Sequence, residues 1–115
     1  MSALSEKIRK AREVRVEFED AVGKKEFIVL RPTTVDMAEM AGKSKARAIL
    51  GFIVGWSGVS SLDLYPGGDA NPVEFDKDAG SEWLLDRIDI LSAIADKAMD
   101  AYQAHQKNLE QIQKN

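Results

Sequence analysis

The 115-residue sequence has no cysteine and one histidine, His105. The first absence excludes disulfides, thiolate nucleophiles and cysteine-ligated metals. The second excludes multi-histidine metal constellations within one chain and leaves His105 as the one imidazole a Ser-His-Asp triad could use, on a polar helical segment. Neither a GxGxxG nor a GxxxxGK[ST] phosphate loop is present. The longest apolar run, AILGFIVGW, falls well short of the ~20 residues a membrane span requires. The N-terminus has no apolar signal region. Basic charge is also scarce, with 16 Lys and Arg against 19 Asp and Glu and a net charge of −3. That balance gives no electrostatic reason to expect nucleic acid as a partner. The expectation is a cytoplasmic, non-enzymatic domain with no cofactor, no metal and no membrane contact.

What is present is a folded-domain composition, 44% hydrophobic and 30% charged, on a length that suits one domain. The basic cluster SEKIRKAR predicts a short, solvated helical arm over residues 1–13. Val14-Arg15-Val16-Glu17-Phe18-Glu19 then alternates strictly, the period of a half-buried strand with Val14, Val16 and Phe18 inward. Asp20 to Lys24 supplies a turn, and Lys25 to Arg31 the return strand, with Phe27 and Val29 packing and Pro32 closing the ladder.

Thr33 or Thr34 predicts the N-cap of a helix beginning near Val35, with Asp36 and Glu39 in its first turns. Gly42 marks an interruption. Ala46, Ile49, Leu50, Ile53 and Val54 recur at three- and four-residue spacing, so the helix is expected to run on to Gly55–Gly58. Gly51 and Gly55 spell GxxxG, which in such a helix means close backbone packing. Residues 60–72 are dense in turn formers and read as a mobile loop. Val73-Glu74-Phe75 is an extended anchor, and Asp76 caps a helix whose apolar side is Trp83, Leu84 and Leu85. Asp86 to Asp89 breaks that helix, with Asp89 capping the next.

The last helix places Ile90, Ile94, Ala98, Ala101, His105 and Leu109 near one face. Its end, residues 103–115, is a polar helical tail that projects from the domain formed by residues 14–102. The fold expected is α+β, an N-terminal β-hairpin packed on a bundle of three to four helices. Asp63, Asp69, Asp76 and Asp78 lack the order of a calcium loop and read as turn and cap residues; Asp86 and Asp89 read likewise.

Three segments taken in order, Arg31-Pro32-Thr33, Val54-Gly55-Trp56-Ser57-Gly58-Val59 and Pro72-Val73-Glu74-Phe75-Asp76, resemble the tail assembly chaperones of long-tailed bacteriophages. A Trp-Leu-Leu helix and a separate C-terminal helix follow, as in that family. The likeness spans roughly residues 14–105. Ser57 stands where the family usually has an acidic residue, and the Ser60–Asn71 loop is longer than usual.

The resemblance implies a factor that binds the tape-measure protein, keeps it soluble and promotes polymerisation of tail tube protein around it. It also implies action in the cytoplasm of the infected host and absence from the finished virion. The family often carries a ribosomal slippage site, and Gln113-Lys114-Asn115 can be encoded by a slippery heptamer, which would make this chain the short product. The alternatives are a structural tail component such as a terminator or connector subunit, and an interaction adaptor unrelated to phage.

Trp56, Gly55, Gly58, Phe75 and Trp83 are the expected structural anchors, with Trp56 packing on the hairpin or on the following helix. Leu62, Leu64 and Tyr65 in the loop, with Tyr102, Leu109 and Ile112 on the last helix, are the expected partner-binding residues. The hairpin edge and the Ala-rich final helix also invite self-association into a homo-oligomer.

Overall fold

The computed structural model describes residues 2–114; Met1 and Asn115, the outer ends of the expected arm and tail, lie outside the described residues. Among these residues, three strands and six α-helices make an α+β fold. Strands β1 (Glu13–Glu19) and β2 (Lys24–Leu30) form the expected hairpin, pairing Val16 with Phe27 and Val14 with Val29. Asp20 closes its turn by accepting from the N–H groups of Val22 and Gly23 through Oδ1. The arm is helix α1 (Ala3–Lys10), capped by the Ser2 hydroxyl and without a buried residue.

Helix α2 (Thr34–Met40) begins on a capping box in which Thr33 and Asp36 bond reciprocally. This satisfies two N–H groups that the first turn would otherwise leave without partners. A break around Gly42 follows, and Ser44 caps α3 (Lys45–Ile49).

The expected continuation of this helix through Val54 is wrong. The chain passes through a 3-10 turn at Leu50–Phe52 and becomes a third strand, β3 (Ile53–Ser57), antiparallel to β2. Ile53, Val54 and Trp56 are β-branched or aromatic and fit a pleated, half-buried surface better than a helix. The GxxxG glycines therefore pack no helix interface. Gly51 lies in the 3-10 turn, and Gly55 lies in β3 beneath Ile28.

The sheet order is β1-β2-β3, so β1 and β3 are its edges. Pairing shifts between Ile28 and Val29, where Gly55 and Ile53 are the partners and Val54 is the extra residue of a bulge. The bulge turns both Ile53 and Trp56 toward the core, which uninterrupted alternation could not do.

Helix α5 (Lys77–Leu84) starts at Asp76, whose carboxylate accepts from the N–H groups of Asp78 and Ala79. Trp83 and Leu84 are buried, whereas Leu85 is exposed rather than part of the apolar side. Helix α6 (Ile88–Lys114) begins before Asp89, so Asp89 stands inside the first turn and is not the cap. Ile90, Leu91, Ile94, Ala95 and Ala98 of α6 pack with Val16, Phe27, Val29 and Ile49 in one core beneath the sheet. From Lys107 to Gln113 the helix is exposed, as expected of the projecting tail.

Candidate functional site

Trp56 stands at the junction of the sheet, α5 and the 60–75 segment. Its ring meets Phe75 edge-on at 5.0 Å and Trp83 edge-on at 5.9 Å. Offset and edge contacts are the favoured arrangements of aromatic quadrupoles. Its indole Nε1 donates to the Val73 carbonyl at 2.8 Å, so the polar end of a half-buried ring is satisfied. Trp56 thus touches both alternatives open to it, the sheet and the following helix. Gly80 of α5 is the floor of this packing, because a Cβ there would stand 2.9 Å from Trp56 Cζ3.

Gly55 and Gly58 were expected to end a helix. Gly55 is a strand residue, and Gly58 follows β3 with φ of +78°. A side chain on Gly58 would collide with the Lys24 carbonyl oxygen, so glycine is required for this close approach to β2.

The segment expected as a loop carries structure of its own. Ser60 and Asp63 form a capping box that opens a short helix, α4 (Ser61–Leu64). Ser60 bridges Pro72, the Val73 N–H donates to the Val59 carbonyl at 2.8 Å, and the Leu62 N–H donates to the Asp69 carbonyl at 2.9 Å. These bonds hold the two sides of the segment together from its base to its tip.

Beneath α4 lies a cluster that the sequence reading missed. The Lys25 side chain is fully buried, its Nζ 2.8 Å from Asp20 Oδ1 and 2.8 Å from Asp63 Oδ1. The Asp63 contact is an ion pair set off the direction of a hydrogen bond, while Asp63 Oδ2 accepts from the Ser60 N–H and hydroxyl. Arg87 donates to Asp20 Oδ2 at 3.1 Å and to both carboxylate oxygens of Asp89 at 3.0 Å. The same guanidinium lies 5.8 Å from the Trp83 ring centroid and 6.0 Å from that of Phe18.

Burial alone would raise the Asp20 carboxyl, but hydrogen bonds from Lys25, Arg87 and two backbone N–H groups outweigh it. They hold Asp20 far below the usual carboxylate range. For Lys25, burial works toward a lower value, and the two carboxylates overcome it and raise the ammonium above its ordinary value. The cluster joins the hairpin turn, α4 and the start of α6. A charge with no exposed surface is placed to fasten these segments, not to meet a solute. The signal in the sequence was the strand period itself, since alternation back from Val29 and Phe27 puts Lys25 on the inward face.

The expected partner-binding residues divide. Leu62 and Tyr65 are 48% and 56% exposed on α4 and just after it, but Leu64 packs against the core. On α6, Tyr102 is half-buried, and Leu109 and Ile112 are 38% and 65% exposed. His105, within the expected polar tail, is half-buried and lines a groove between α1, β1 and α6.

Among the described residues no three His, Cys, Asp or Glu side chains group as metal ligands, and no helix is long and apolar enough to cross a membrane. Comparison with protein-family models, curated proteins and solved structures finds no match.

Proposed function

We propose that the chain is a non-enzymatic tail assembly chaperone of a long-tailed bacteriophage, acting in the cytoplasm of the infected host. It binds the tape-measure protein, keeps it soluble and promotes polymerisation of the tail tube, and it is the short product of a frameshifting gene. The observation that carries this reading is the meeting of two segments on which the family likeness rests. Val54–Val59 and Pro72–Asp76 are separated by the whole loop, yet they join through Trp56 on Phe75, the Trp56–Val73 hydrogen bond and the Val73–Val59 backbone bond. They form one clamp that presents α4, with Leu62 and Tyr65 outward.

The physical role is straightforward. A tape-measure protein is a long helical chain with apolar stripes that would aggregate before the tube encloses it. Many copies of a small domain, each offering an apolar contact on a rigid base, cover such stripes additively.

The test is coexpression with the tape-measure protein encoded by the same genome. The tape measure is expected to move from the pellet to the soluble fraction and to copurify with the chain. The double variant Leu62→Ser/Tyr65→Ser is expected to lose that capture while keeping its melting temperature. A tape measure that stays insoluble beside well-folded chain overturns the reading. Stoichiometric chain in purified virions supports a structural tail component instead.

A further inference from the structure

The buried cluster of Lys25, Asp20, Asp63 and Arg87 fastens three surface elements, and each of them carries large apolar side chains into solvent. Val22, two residues after Asp20 in the hairpin turn, is 48% exposed. Leu62 stands beside Asp63 on α4, with Tyr65 just after that helix. Leu85 and Ile88 flank Arg87 at the α5–α6 junction and are 47% and 63% exposed. One carboxylate links two of these elements directly, because Asp20 accepts from the Val22 N–H through Oδ1 and from Arg87 through Oδ2. Exposed apolar side chains grouped in this way, unlike ones scattered singly, mark an interaction surface.

Acidic charge surrounds them. Within the cluster three carboxylates, Asp20, Asp63 and Asp89, face two cations, Lys25 and Arg87, both already occupied. Glu82 and Asp86 are exposed beside Leu85, and among the described residues neither has a Lys or Arg within ion-pair distance. Asp69 is exposed, and its carbonyl accepts from the Leu62 N–H, so a further carboxylate stands beside α4. Lys24 is balanced by Glu19 at 4.0 Å. An occupant of this surface should therefore bring apolar side chains with cations next to them.

We propose that the surface docks a helix of the tape-measure protein that presents two apolar side chains one turn apart, with lysine or arginine beside them. The inference deepens the chaperone reading and rests on it for the source of the helix. Apolar contact holds the helix, and charge complementarity fixes its orientation and turns away acidic helices. The buried cluster sets the hairpin turn, α4 and the junction in fixed relation before the partner arrives, which lowers the ordering cost of binding. The basic helix α1 of a second copy is the rival occupant. Its apolar residues Ile8 and Ala11, however, line a groove against β1 and α6 of their own molecule.

Two synthetic helical peptides with the same pair of leucines, one flanked by lysine and one by glutamate, are the probes. The full chain is expected to bind the lysine peptide at least roughly tenfold tighter than the glutamate peptide. Leu85→Ser/Ile88→Ser is expected to lose that binding with little change in melting temperature, because both side chains are exposed. Glu82→Lys/Asp86→Lys should shift the preference toward the glutamate peptide. Equal binding of the two peptides, or lysine-peptide binding that persists in Leu85→Ser/Ile88→Ser, overturns the inference. So does a parent chain that self-associates in sedimentation velocity and becomes monomeric on Ile8→Ser, since a second copy would then hold the surface. Coexpression with the tape measure separates this failure from failure of the chaperone reading. Loss of capture in Leu85→Ser/Ile88→Ser, with Leu62 and Tyr65 intact, supports both, and full capture by that variant overturns the docking surface alone. A parent that binds the lysine peptide yet captures no tape measure overturns the chaperone reading and leaves the surface for a basic helix standing.

Discussion

Lys25 Nζ and Asp63 Oδ1 stand 2.8 Å apart with both side chains entirely out of solvent. The pair ties the second strand of the hairpin to the helical turn that displays Leu62 and Tyr65. Buried ion pairs add little net stability against an apolar replacement of both partners, but removal of one partner strands the other charge. Lys25→Met is therefore expected to cost about 3–5 kcal/mol, since Asp20 and Asp63 lose their shared cation. Lys25→Met/Asp63→Asn should recover part of that loss, and urea unfolding of the four chains gives the coupling energy. A single Lys25 variant as stable as the parent would show that the pair is not a fastening.

The same cluster sets the acid behaviour. The Asp20 carboxyl is held far below its ordinary value in the folded chain. On acidification the unfolded chain therefore takes up its proton first. Asp20 contributes stability that is fully present above the ordinary Asp value near 3.9 and is lost progressively as pH falls below it. Lys25, raised in the fold, contributes stability that holds through neutral pH and is lost only as pH rises past the ordinary Lys range. Asp20→Asn is expected to flatten the fall in melting temperature between about pH 4 and pH 2 relative to the parent. An unchanged acid slope in that variant would assign the acid sensitivity to other carboxylates.

Two neighbouring loop residues should separate binding from stability. Leu64 packs against the core, whereas Tyr65 is 56% exposed. Leu64→Ser is expected to destabilise by about 1–2 kcal/mol from lost apolar burial, and Tyr65→Ser by no more than about 0.5 kcal/mol. Thermal unfolding of the two single variants checks this. Equal losses would mean that Tyr65 is also part of the packed base.

Much of the frame was legible in the sequence. Strict alternation in Val14–Glu19 marked the hairpin, and the Thr33/Asp36 and Asp76 caps fell where short polar side chains precede apolar runs. The third strand was hidden because Ala46, Ile49, Leu50, Ile53 and Val54 satisfy helical spacing. The bulge at Val54 also removes the period of two that would have contradicted it. In the strand, Ile53 and Trp56 share a face three residues apart, a separation that belongs to a helix. The Lys25 cluster was partly visible, since alternation puts Lys25 inward. Its partners come from a turn, a loop helix and a helix junction, and no local pattern announces such a meeting. The groove between α1 and α6 depends on tertiary placement in the same way.

Gly80 offers the sharpest test of the Trp56 clamp. A methyl group there would fall 2.9 Å from Trp56 Cζ3, too close for the ring to remain where it is. Gly80 is an interior residue of α5, so alanine raises helix propensity by about 1 kcal/mol. Overpacking a filled site costs about 1–3 kcal/mol, and the two effects oppose each other. Gly80→Ala is therefore expected to change stability only modestly, by about 2 kcal/mol of loss at most. Its larger effect should be on Trp56, whose edge-on contacts with Phe75 and Trp83 must open and whose bond to Val73 must stretch. Near-ultraviolet circular dichroism and tryptophan emission should both change, with far-ultraviolet signal preserved. Hydrogen exchange at the Val73 amide should quicken as the clamp loosens. Unchanged aromatic spectra in a folded Gly80→Ala chain would mean that α5 does not press on Trp56, and the clamp would then rest on Phe75 and on the bonds of Val73 to Trp56 and Val59.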